Sequence, residues 1–460
     1  MSHSVDLCEL FAEHVAGSRF EQLPGAAVEG AKKTLLDTLG VMLAGGGMEP
    51  SVRRVVEHVK AGGGAPECSV LGFGLRVPAE AAAFANGAMA HALDYDDQTP
   101  WGQHAASSLV PAALAAAQRR RGVPGRELIT AVAVGQDLFN RLRRHVEWQK
   151  DWNFSTVIGV FSATAAAGRA LGLSADAVAR AFGIASLQSG GSTAVINSTG
   201  SDLRGLYAAF SARGAVTAAL LARQGIGGVT GLFEGPYGVF DLFFGGRYDR
   251  AALLDGLGQD FTGGLTLYKR WPAVGTAHGH LHATIGLVEA HAIDPAQIEQ
   301  IRLFVGDYHR LMCEPLEQRR APGALVEAKF SLPWLVAAVA IQRDLRLADF
   351  RAEALRDPQV LALAQRVVPV ADATLDWKED LPSGRVEIVL HDGRRFERLA
   401  HDIPGSVDAP LDWAALERKF LDCAAMAARP LPPDRLAAAV HTLRHLESVD
   451  DAGAALRALG

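Results

Sequence analysis

The stretch from Val28 to Leu43, VEGAKKTLLDTLGVML, shows the helical period that dominates this 460-residue chain. Its apolar residues recur every three or four positions, the period of one buried helix face, and Pro24 stands just ahead of it, where helices often start. The same period predicts further helices over residues 79–92, 105–121, 125–144, 154–171, 175–188 and 206–224. Many of these segments are apolar on several sides, which indicates helices buried between other helices.

The pattern changes after about residue 265. Residues 300–305, QIRLFV, alternate like a strand, and residues 386–397 read as a hairpin with Asp392-Gly393 at its turn. Helices are expected between and after these strands, over residues 278–291, 331–342, 418–426 and 433–446. A short strand or hairpin is also expected over 68–77. A chain of this length exceeds what one hydrophobic core usually supports, so two domains are predicted, one helical and one α+β.

Composition excludes several classes of protein. The formal net charge of -6 is small for this length, and the basic run Arg119–Arg121 ends a predicted helix, where cations suit the helix dipole. We therefore expect no nucleic-acid partner.

The four cysteines, Cys8, Cys68, Cys313 and Cys423, are scattered along the chain. We therefore expect neither disulfides nor an iron–sulfur cluster, and the pattern fits a reducing compartment. The first residues lack the apolar core of a signal peptide, and no apolar run reaches the ~20 residues of a membrane span. The expectation is a cytoplasmic protein with no membrane partner.

A first candidate cluster is the acidic run LDYDDQ over residues 93–98, followed by His104. A helix ends in this run and a histidine opens the next helix. Carboxylates this close repel one another, so at least one of them should have a raised pKa. They could orient His104 or bind a cation. The alternative is simple helix capping, with Asp94 and Asp97 solvated in a loop.

A second cluster is LYKRWPAVGTAHGHLH over residues 267–282. Lys269 and Arg270 could hold a carboxylate, and Thr276 is placed to cap the next helix. His278 and His282 are four residues apart and share a helical face, whereas His280 points elsewhere. The alternative is a surface basic pair beside a partly buried histidine helix. The three histidines could suggest zinc, but no carboxylate follows at a ligand spacing, so no metal is predicted.

Two further stretches carry weaker signals. The Gly/Ser/Thr-rich segment 188–202 runs into Arg204 near a helix start, which suits an anion, although a plain helix connection is the alternative. It lacks the G-K-[ST] ending of a phosphate-binding P-loop, and no GxGxxG opens a βαβ unit. In AKFSLPW, residues 328–334, Lys329 leads into an apolar helix and Ser331 is placed as its N-cap.

Together these stretches resemble the MmgE/PrpD family, whose members include 2-methylcitrate dehydratase, cis-aconitate decarboxylase and iminodisuccinate epimerase. The matching features, in family order over nearly the whole chain, are LLDTLGVMLAG (35–45), ANGAMAHALDYDD (85–97), His104, FGIASLQSGG (182–191), Lys269 through His278, and AKFSLPW (328–334). The resemblance implies a mainly-α fold: a large all-α domain from both chain ends, residues 1–264 and 402–460, with a smaller inserted α+β lid domain, residues 265–401. It also implies a homodimer that needs no metal or organic cofactor.

The resemblance further implies a site between helical domain and lid, with Asp94, His104 and Lys269 carried over by position. Three places in the chain depart from the family pattern. Gln98 stands where a threonine is common, Asn153 and Phe154 stand where many members have a histidine-proline pair, and Val274 replaces a histidine of the decarboxylases. The loss of these two histidines weakens the case for decarboxylation of cis-aconitate and for dehydration of methylcitrate.

The resulting hypothesis is a lyase or isomerase that removes a proton next to a carboxylate of a small di- or tricarboxylate. Such a carbanion needs cations or hydrogen-bond donors to hold the developing enolate charge. His104 is the expected base, oriented by Asp94, and Lys269 is the expected cation. The expected substrate-binding residues are Arg204, Arg270, Asp97, Gln98, Asn153 and His278. The alternative is a catalytically inactive family member that binds carboxylates.

Overall fold

The computed structural model describes residues 5–197, 201–229, 231–378 and 381–460. Helices hold 59% of the residues and strands 8%, which confirms the predicted mainly-α fold with a small α+β part. The internal contacts divide the chain into two compact units. The first comprises Met1–Ala92, Gln103–Thr266 and Trp413–Gly460, and the second comprises Leu93–Gly102 and Leu267–Asp412. The chain thus passes from the first unit into the second after Thr266 and returns to the first unit after Asp412. The acidic loop, residues 93–102, belongs to the second unit.

The first unit is helical. Its elements up to residue 266 are α1 (Leu7–Gly17), α2 (Gly25–Met48), α3 (Pro50–Gly62), β1 (Cys68–Val70), β2 (Leu75–Val77), α4 (Ala79–His91), α5 (Ala106–Arg120), α6 (Gly125–His145), α7 (Phe154–Val157), α8 (Gly159–Leu171), α9 (Ala175–Ala185), α10 (Ala194–Asn197), α11 (Leu203–Arg223), α12 (Val239–Phe244) and α13 (Arg250–Leu254). Strands β1 and β2 form the short antiparallel hairpin expected over 68–77.

Two predicted helices of this unit have different bounds in the structure. The segment 154–171 is interrupted at Ile158, just before Gly159, whose low helix propensity favours a break. The segment 175–188 ends as an α-helix at Ala185, and a 3-10 turn follows at Ser186–Gln188. Both differences lie at helix ends, where sequence patterns are least informative.

The second unit builds a four-stranded sheet and several helices. Its elements are α14 (His278–Ala290), β3 (Ile298–Val305), α15 (Asp307–Arg310), α16 (Leu316–Arg320), α17 (Leu325–Ala328), α18 (Leu332–Gln342), α19 (Pro358–Ala364), β4 (Val367–Ala371), β5 (Gly384–Leu390) and β6 (Arg395–Ala400). The strand order is β4-β3-β5-β6, with β3 and β4 parallel and the other pairs antiparallel. Gly393 has a φ of 86° in the β5–β6 turn, which confirms the predicted hairpin.

The chain then returns to the first unit through α20 (Trp413–Ala424), α21 (Pro433–Arg444) and α22 (Ala452–Ala455). Helix α20 packs on α2, and the ammonium of Lys419 lies 2.6 Å from the carboxylate of Asp37 in a buried ion pair. This return was expected from the helical pattern at the C-terminal end.

Two helical stretches in the described part of the chain are long and apolar enough to cross a membrane by length and composition alone. They are Phe154–Leu171 and Leu203–Arg223, and 94% and 72% of their apolar windows are buried inside the protein. Core helices of globular domains have the same properties, so the burial accounts for their apolar character.

Candidate active site

The acidic loop Leu93–Gly102 of the second unit is buried. Asp94, Asp96 and Asp97 are all shielded from solvent, which excludes the alternative of carboxylates solvated at a helix cap. Buried carboxylates are costly unless they are paired or hydrogen-bonded. Asp94 also has a φ of 50°, in the left-handed region that only a few residue types tolerate, and Gln103 just after the loop has a φ of 63°. The loop therefore holds its acids in a constrained backbone.

Lys269 is the partner of Asp94. Its Nζ donates to the backbone carbonyl of Asp94 at 2.7 Å and also pairs with the Asp94 carboxylate, and the two residues are only 4% and 6% exposed. Leu267 and Gln98 exchange two backbone hydrogen bonds, of 2.8 and 3.0 Å. These bonds join the acidic loop to the segment that begins at residue 267. The sequence placed both residues in the site but did not predict that they pair with each other.

Further polar groups of the second unit lie in the same neighbourhood. Gly275 lies against the side-chain amide of Gln98, which a Cβ at this position would displace. The next residue back, Val274, donates its backbone N–H to the carbonyl of Lys329 at 3.1 Å. Lys329 is 1% exposed, and its Nζ lies 5.6 Å from the ring centroid of Phe330. A second buried cation therefore accompanies the segment that carries Lys269.

The histidines of α14 divide as the sequence predicts. His278 and His282 both face the ring of Trp271, with ring centroids 5.3 and 6.4 Å away. His280 points elsewhere, toward His309, with centroids 4.6 Å apart. Nε2 of His278 lies 3.3 Å from the carbonyl oxygen of Ala273, so its ring is tied to the segment that follows Trp271.

The structure corrects one expectation for this segment and specifies the surroundings of two further residues. The N-cap of α14 is Ala277, and the hydroxyl of Thr276 points at the sulfur of Met312, 3.6 Å away, so the predicted Thr276 cap is wrong. Arg270 is exposed, and its guanidinium lies 3.6 Å from the carboxylate of Asp344. Ser331 does occupy the N-cap position of α18, but its hydroxyl donates to the carbonyl of Glu327 instead of capping the helix.

His104 belongs to the first unit, one residue before the N-cap of α5. Its backbone N–H donates to Oγ of Ser155 at 3.4 Å, and its side chain is half-buried. Its ring centroid lies 4.7 Å from that of His91, which in turn lies 4.4 Å from that of Tyr207. His91 and Tyr207 are buried, and sequence reasoning gave neither a role. The expected orientation of His104 by Asp94 stays a prediction.

The polar loops of the first unit meet around Asn153. Its backbone N–H donates to the carbonyl of Gly191 at 2.7 Å, and the hydroxyl of Thr156 donates to the Asn153 carbonyl at 2.9 Å. Among the described residues, the buried Nδ2 of Asn153 has no hydrogen-bond partner. Arg204 is half-buried at the second position of α11. Thr199 and Gly200, also part of the expected anion loop, lie outside the described residues.

Arg143 is a buried cation of this unit that sequence reasoning missed. Its Nε pairs with the side-chain oxygen of Gln103, and its guanidinium lies 5.4 Å from the ring centroid of Phe154. It lies in the last turn of α6, where a cation suits the helix dipole. The contact with Gln103, next to His104, depends on the tertiary fold and leaves no mark in the sequence.

Family models match almost the entire chain. The MmgE/PrpD N-terminal domain matches residues 9–251, and the MmgE/PrpD C-terminal domain matches residues 271–444. The chain belongs to the MmgE/PrpD family. This MmgE/PrpD protein is also similar to individual curated proteins. It is 27% identical to the cis-aconitate decarboxylase-like protein oryM of Aspergillus oryzae, over 86% of each chain.

Two further relatives also match most of the length of the MmgE/PrpD protein. It is 25% identical to cis-aconitate decarboxylase of Mus musculus, over 98% of this chain and 93% of the relative. It is 26% identical to cis-aconitate decarboxylase of Aspergillus terreus, over 81% of this chain and 80% of the relative. The family models match residues 9–251 and 271–444, so the acidic loop and His104 fall within the matched part, whereas Lys269 lies between the two matches.

Proposed function

We propose that this MmgE/PrpD protein is a cofactor-free enzyme that removes a proton next to a carboxylate of a small di- or tricarboxylate. The observation that carries the proposal is the buried ammonium of Lys269, held by the carbonyl and carboxylate of Asp94. A buried ion pair contributes little net stability, so retaining one fits a chemical role better than a structural role. A fixed ammonium in a low-dielectric environment stabilises carboxylate and enolate charge strongly.

In the proposed reaction, His104 accepts the proton from the carbon next to the substrate carboxylate. The electron pair of the broken C–H bond moves into the carboxylate as an enolate, and Lys269 stabilises its charge. Half-burial of His104 leaves its ring accessible, and the Ser155 contact fixes its backbone. General-base catalysis of this kind typically contributes about 10²–10⁴-fold.

The fate of the enolate decides the reaction class. Departure of a β-hydroxyl gives dehydration, and reprotonation from the opposite face gives epimerisation. Two of the relatives described above are named cis-aconitate decarboxylase, and the third is named a cis-aconitate decarboxylase-like protein. These names support a lyase over an isomerase. Loss of carbon dioxide does not follow from this enolate, because it leaves a further electron pair on carbon that the enolate cannot accept. The same family membership supports a small polycarboxylate as the substrate class.

A proton NMR screen in deuterated water tests the proposal directly. Purified protein is incubated with cis-aconitate, citrate, 2-methylcitrate, malate and aspartate, and each spectrum is followed for deuterium exchange and for new signals. We expect exchange at a carbon next to a carboxylate of at least one acid, at an unchanged rate in His441→Asn, which alters an exposed histidine. Binding of an acid by calorimetry with no exchange or product would instead support the inactive, carboxylate-binding alternative.

A further inference from the structure

The exposed side of α21 carries two histidines one helical turn apart. His441 lies in the last turn of α21 (Pro433–Arg444), and His445 is the C-cap residue of the helix. Residues four apart on a helix are neighbours on its surface. The two ring centroids are 4.5 Å apart with an interplanar angle of 35°, and both residues are exposed. The surface thus presents two adjacent imidazoles to the solvent.

A backbone contact of His445 fixes which of its ring nitrogens carries a proton. Nδ1 of His445 lies 3.0 Å from the backbone carbonyl oxygen of His441. A carbonyl oxygen only accepts hydrogen bonds, so in the neutral ring Nδ1 carries the proton and donates. Nε2 of His445 then keeps its lone pair, which is the form in which an imidazole binds a metal ion. The same hydrogen bond holds the His445 ring beside the last turn of α21.

Arg444, which lies between the two histidines in sequence, contacts helix α20. Its Nε lies 2.7 Å from the carboxylate of Glu417, and its guanidinium lies 5.3 Å from the ring centroid of Trp413. Glu417 and Trp413 both belong to α20. The positive charge of Arg444 is therefore offset by a carboxylate, which limits its repulsion of a cation bound by the two rings.

We infer that His441 and His445 form a binding site for a divalent transition-metal ion of the Zn²⁺, Ni²⁺ or Cu²⁺ class. Imidazole nitrogens bind zinc at about 2.0–2.1 Å, so two imidazoles that bind one ion at a right angle have ring centroids roughly 4.5 Å apart. The observed separation agrees with this value. Both rings are exposed, so rotation about their side-chain bonds can aim a nitrogen of each ring at the same ion.

The chemistry of the pair selects the class of ion. Neutral imidazole suits Zn²⁺, Ni²⁺ and Cu²⁺, whereas Mg²⁺ and Ca²⁺ take oxygen ligands. In the part of the chain that the structure describes, no carboxylate or thiol completes a group of three ligands with these histidines. Two protein ligands leave further positions on the ion open to water. The ion is not a cofactor of the proposed reaction, because neither histidine belongs to the candidate active site.

The place of the pair in the fold gives a bound ion a structural effect. After His445 the chain enters a turn that packs on the start of α6. The backbone N–H of Gly125 donates to the carbonyl of Val449 at 2.7 Å, and a Cβ on Gly125 would lie only 1.6 Å from the carbonyl oxygen of Leu446. An ion that joins His441 to His445 fixes the last turn of α21 where it leads into this close contact. Because the pairing of the two rings requires the helix, the ion prefers the folded state and stabilises it.

The first experiment measures chelation with Ni²⁺–nitrilotriacetate. This chelate leaves a neighbouring pair of coordination positions open, which two imidazoles fill together and a single imidazole fills weakly. Calorimetry of the untagged wild type should detect binding that becomes about 10–100-fold weaker in His441→Asn and in His445→Asn, because each variant loses one of two linked contacts. His391→Asn, which alters an exposed histidine in the β5–β6 turn, should bind like the wild type. An unchanged affinity in either His441→Asn or His445→Asn would overturn the inference.

The second experiment measures the structural effect with Zn²⁺ alone. Tm of the wild type and of His391→Asn should rise as ZnCl2 exceeds the dissociation constant, because a ligand that binds the folded state adds stability with the logarithm of its concentration. His441→Asn and His445→Asn should lack this rise. Equal shifts in all four proteins, or a wild-type Tm that zinc leaves unchanged, would contradict stabilisation through the pair. The proposed function uses neither histidine, so its failure would leave this inference standing.

Discussion

Nζ of Lys269 lies 2.7 Å from the backbone carbonyl oxygen of Asp94, and the same ammonium pairs with the Asp94 carboxylate. Both side chains are buried, so the pairing offsets part of the cost of removing each charge from water. The acidic loop and the segment after residue 267 are thereby joined at the group that we propose to stabilise the enolate. Removing either partner should therefore affect both folding and catalysis.

The Lys269→Ala variant tests the catalytic part of this pair. Loss of a charge-assisted contact to a buried carboxylate should lower kcat/KM by a factor equivalent to roughly 2–4 kcal/mol of transition-state stabilisation. Steady-state kinetics with the acid found in the exchange screen measures the loss. The control is Lys60→Ala, which removes an exposed lysine whose Nζ lies 3.9 Å from the carboxylate of Glu57. Near-normal kcat/KM in Lys269→Ala would place the substrate elsewhere.

The same pair allows folding to be separated from function. Lys269→Met removes the ammonium that pairs with the buried Asp94 carboxylate, which should cost about 3–5 kcal/mol in the free energy of unfolding. Adding Asp94→Asn removes the carboxylate charge as well, so the double variant should regain much of that stability while remaining inactive. Urea unfolding and steady-state kinetics of the wild type, Lys269→Met, Asp94→Asn and the double variant measure both quantities. A double variant no more stable than Lys269→Met would show that the charges are not coupled.

Much of the architecture follows from periodicity. The three-to-four spacing in residues 28–43 and the Asp392-Gly393 turn are local signals, and both α2 and the β5–β6 hairpin form where the sequence predicts them. Local pattern also placed His278 and His282 on one face. The prediction for Thr276 was wrong for the same reason. Its position just before α14 is typical of an N-cap residue, but its hydroxyl contacts the sulfur of Met312 in a distant segment.

The partners of the site residues could not be predicted in the same way. The Lys269–Asp94 pair spans 175 residues, and the His91–Tyr207 contact depends on how closely two helices approach. Such contacts come from tertiary packing and leave no periodic mark. Gly87 is a sequence feature that such packing requires, since its missing Cβ permits the close approach to Ala209. A single glycine in an Ala-rich helix does not, however, indicate which helix packs against it.

Two glycines therefore provide a steric test of the packing of α4 against α11. Gly87→Ala should force α4 away from α11 and lower the free energy of unfolding by about 1–3 kcal/mol through overpacking. Gly205→Ala is the matched control, because its Cβ meets only ordinary contacts and a better helix former contributes up to about 1 kcal/mol. Thermal unfolding compares the two. Equal behaviour of both variants would contradict the packing account.

Acid should destabilise the protein through His280 and His309. Burial lowers the pKa of His280 to about 3, with a further contribution from His309, and burial lowers the pKa of His309 to about 4. Both stay neutral in the folded state, whereas the unfolded chain takes up protons below its ordinary histidine pKa of 6.5. Their contribution to stability is thus complete above pH 6.5 and is lost as the pH falls toward 4, at up to about 1.4 kcal/mol per pH unit per histidine.

Urea unfolding between pH 6.5 and 4.5 measures this loss. As the pH falls, the free energy of unfolding of His280→Asn should decrease less steeply than that of the wild type. The difference in slope should correspond to close to one proton fewer taken up on unfolding. His391→Asn, at an exposed turn, is the control and should keep the wild-type slope. Parallel curves for all three proteins would show that His280 does not titrate as its burial requires.

The cofactor expectation is tested by chelation. The scattered cysteines and the lack of a zinc-type motif predict no metal or organic cofactor. Activity should therefore survive exhaustive EDTA treatment followed by gel filtration, and the absorption spectrum should show no iron chromophore. Activity that disappears with the chelator and returns with one added metal would refute the cofactor-free mechanism.

The most direct test of the account is the rate of α-proton exchange in His104→Asn, measured by proton NMR in deuterated water with the acid that the wild type exchanges. The account predicts a folded variant that binds the acid with similar affinity but loses exchange and turnover together, by about 10²–10⁴-fold. Exchange at the wild-type rate without product would contradict it. His104 would then act later, as an acid on the leaving group, and another residue would be the base.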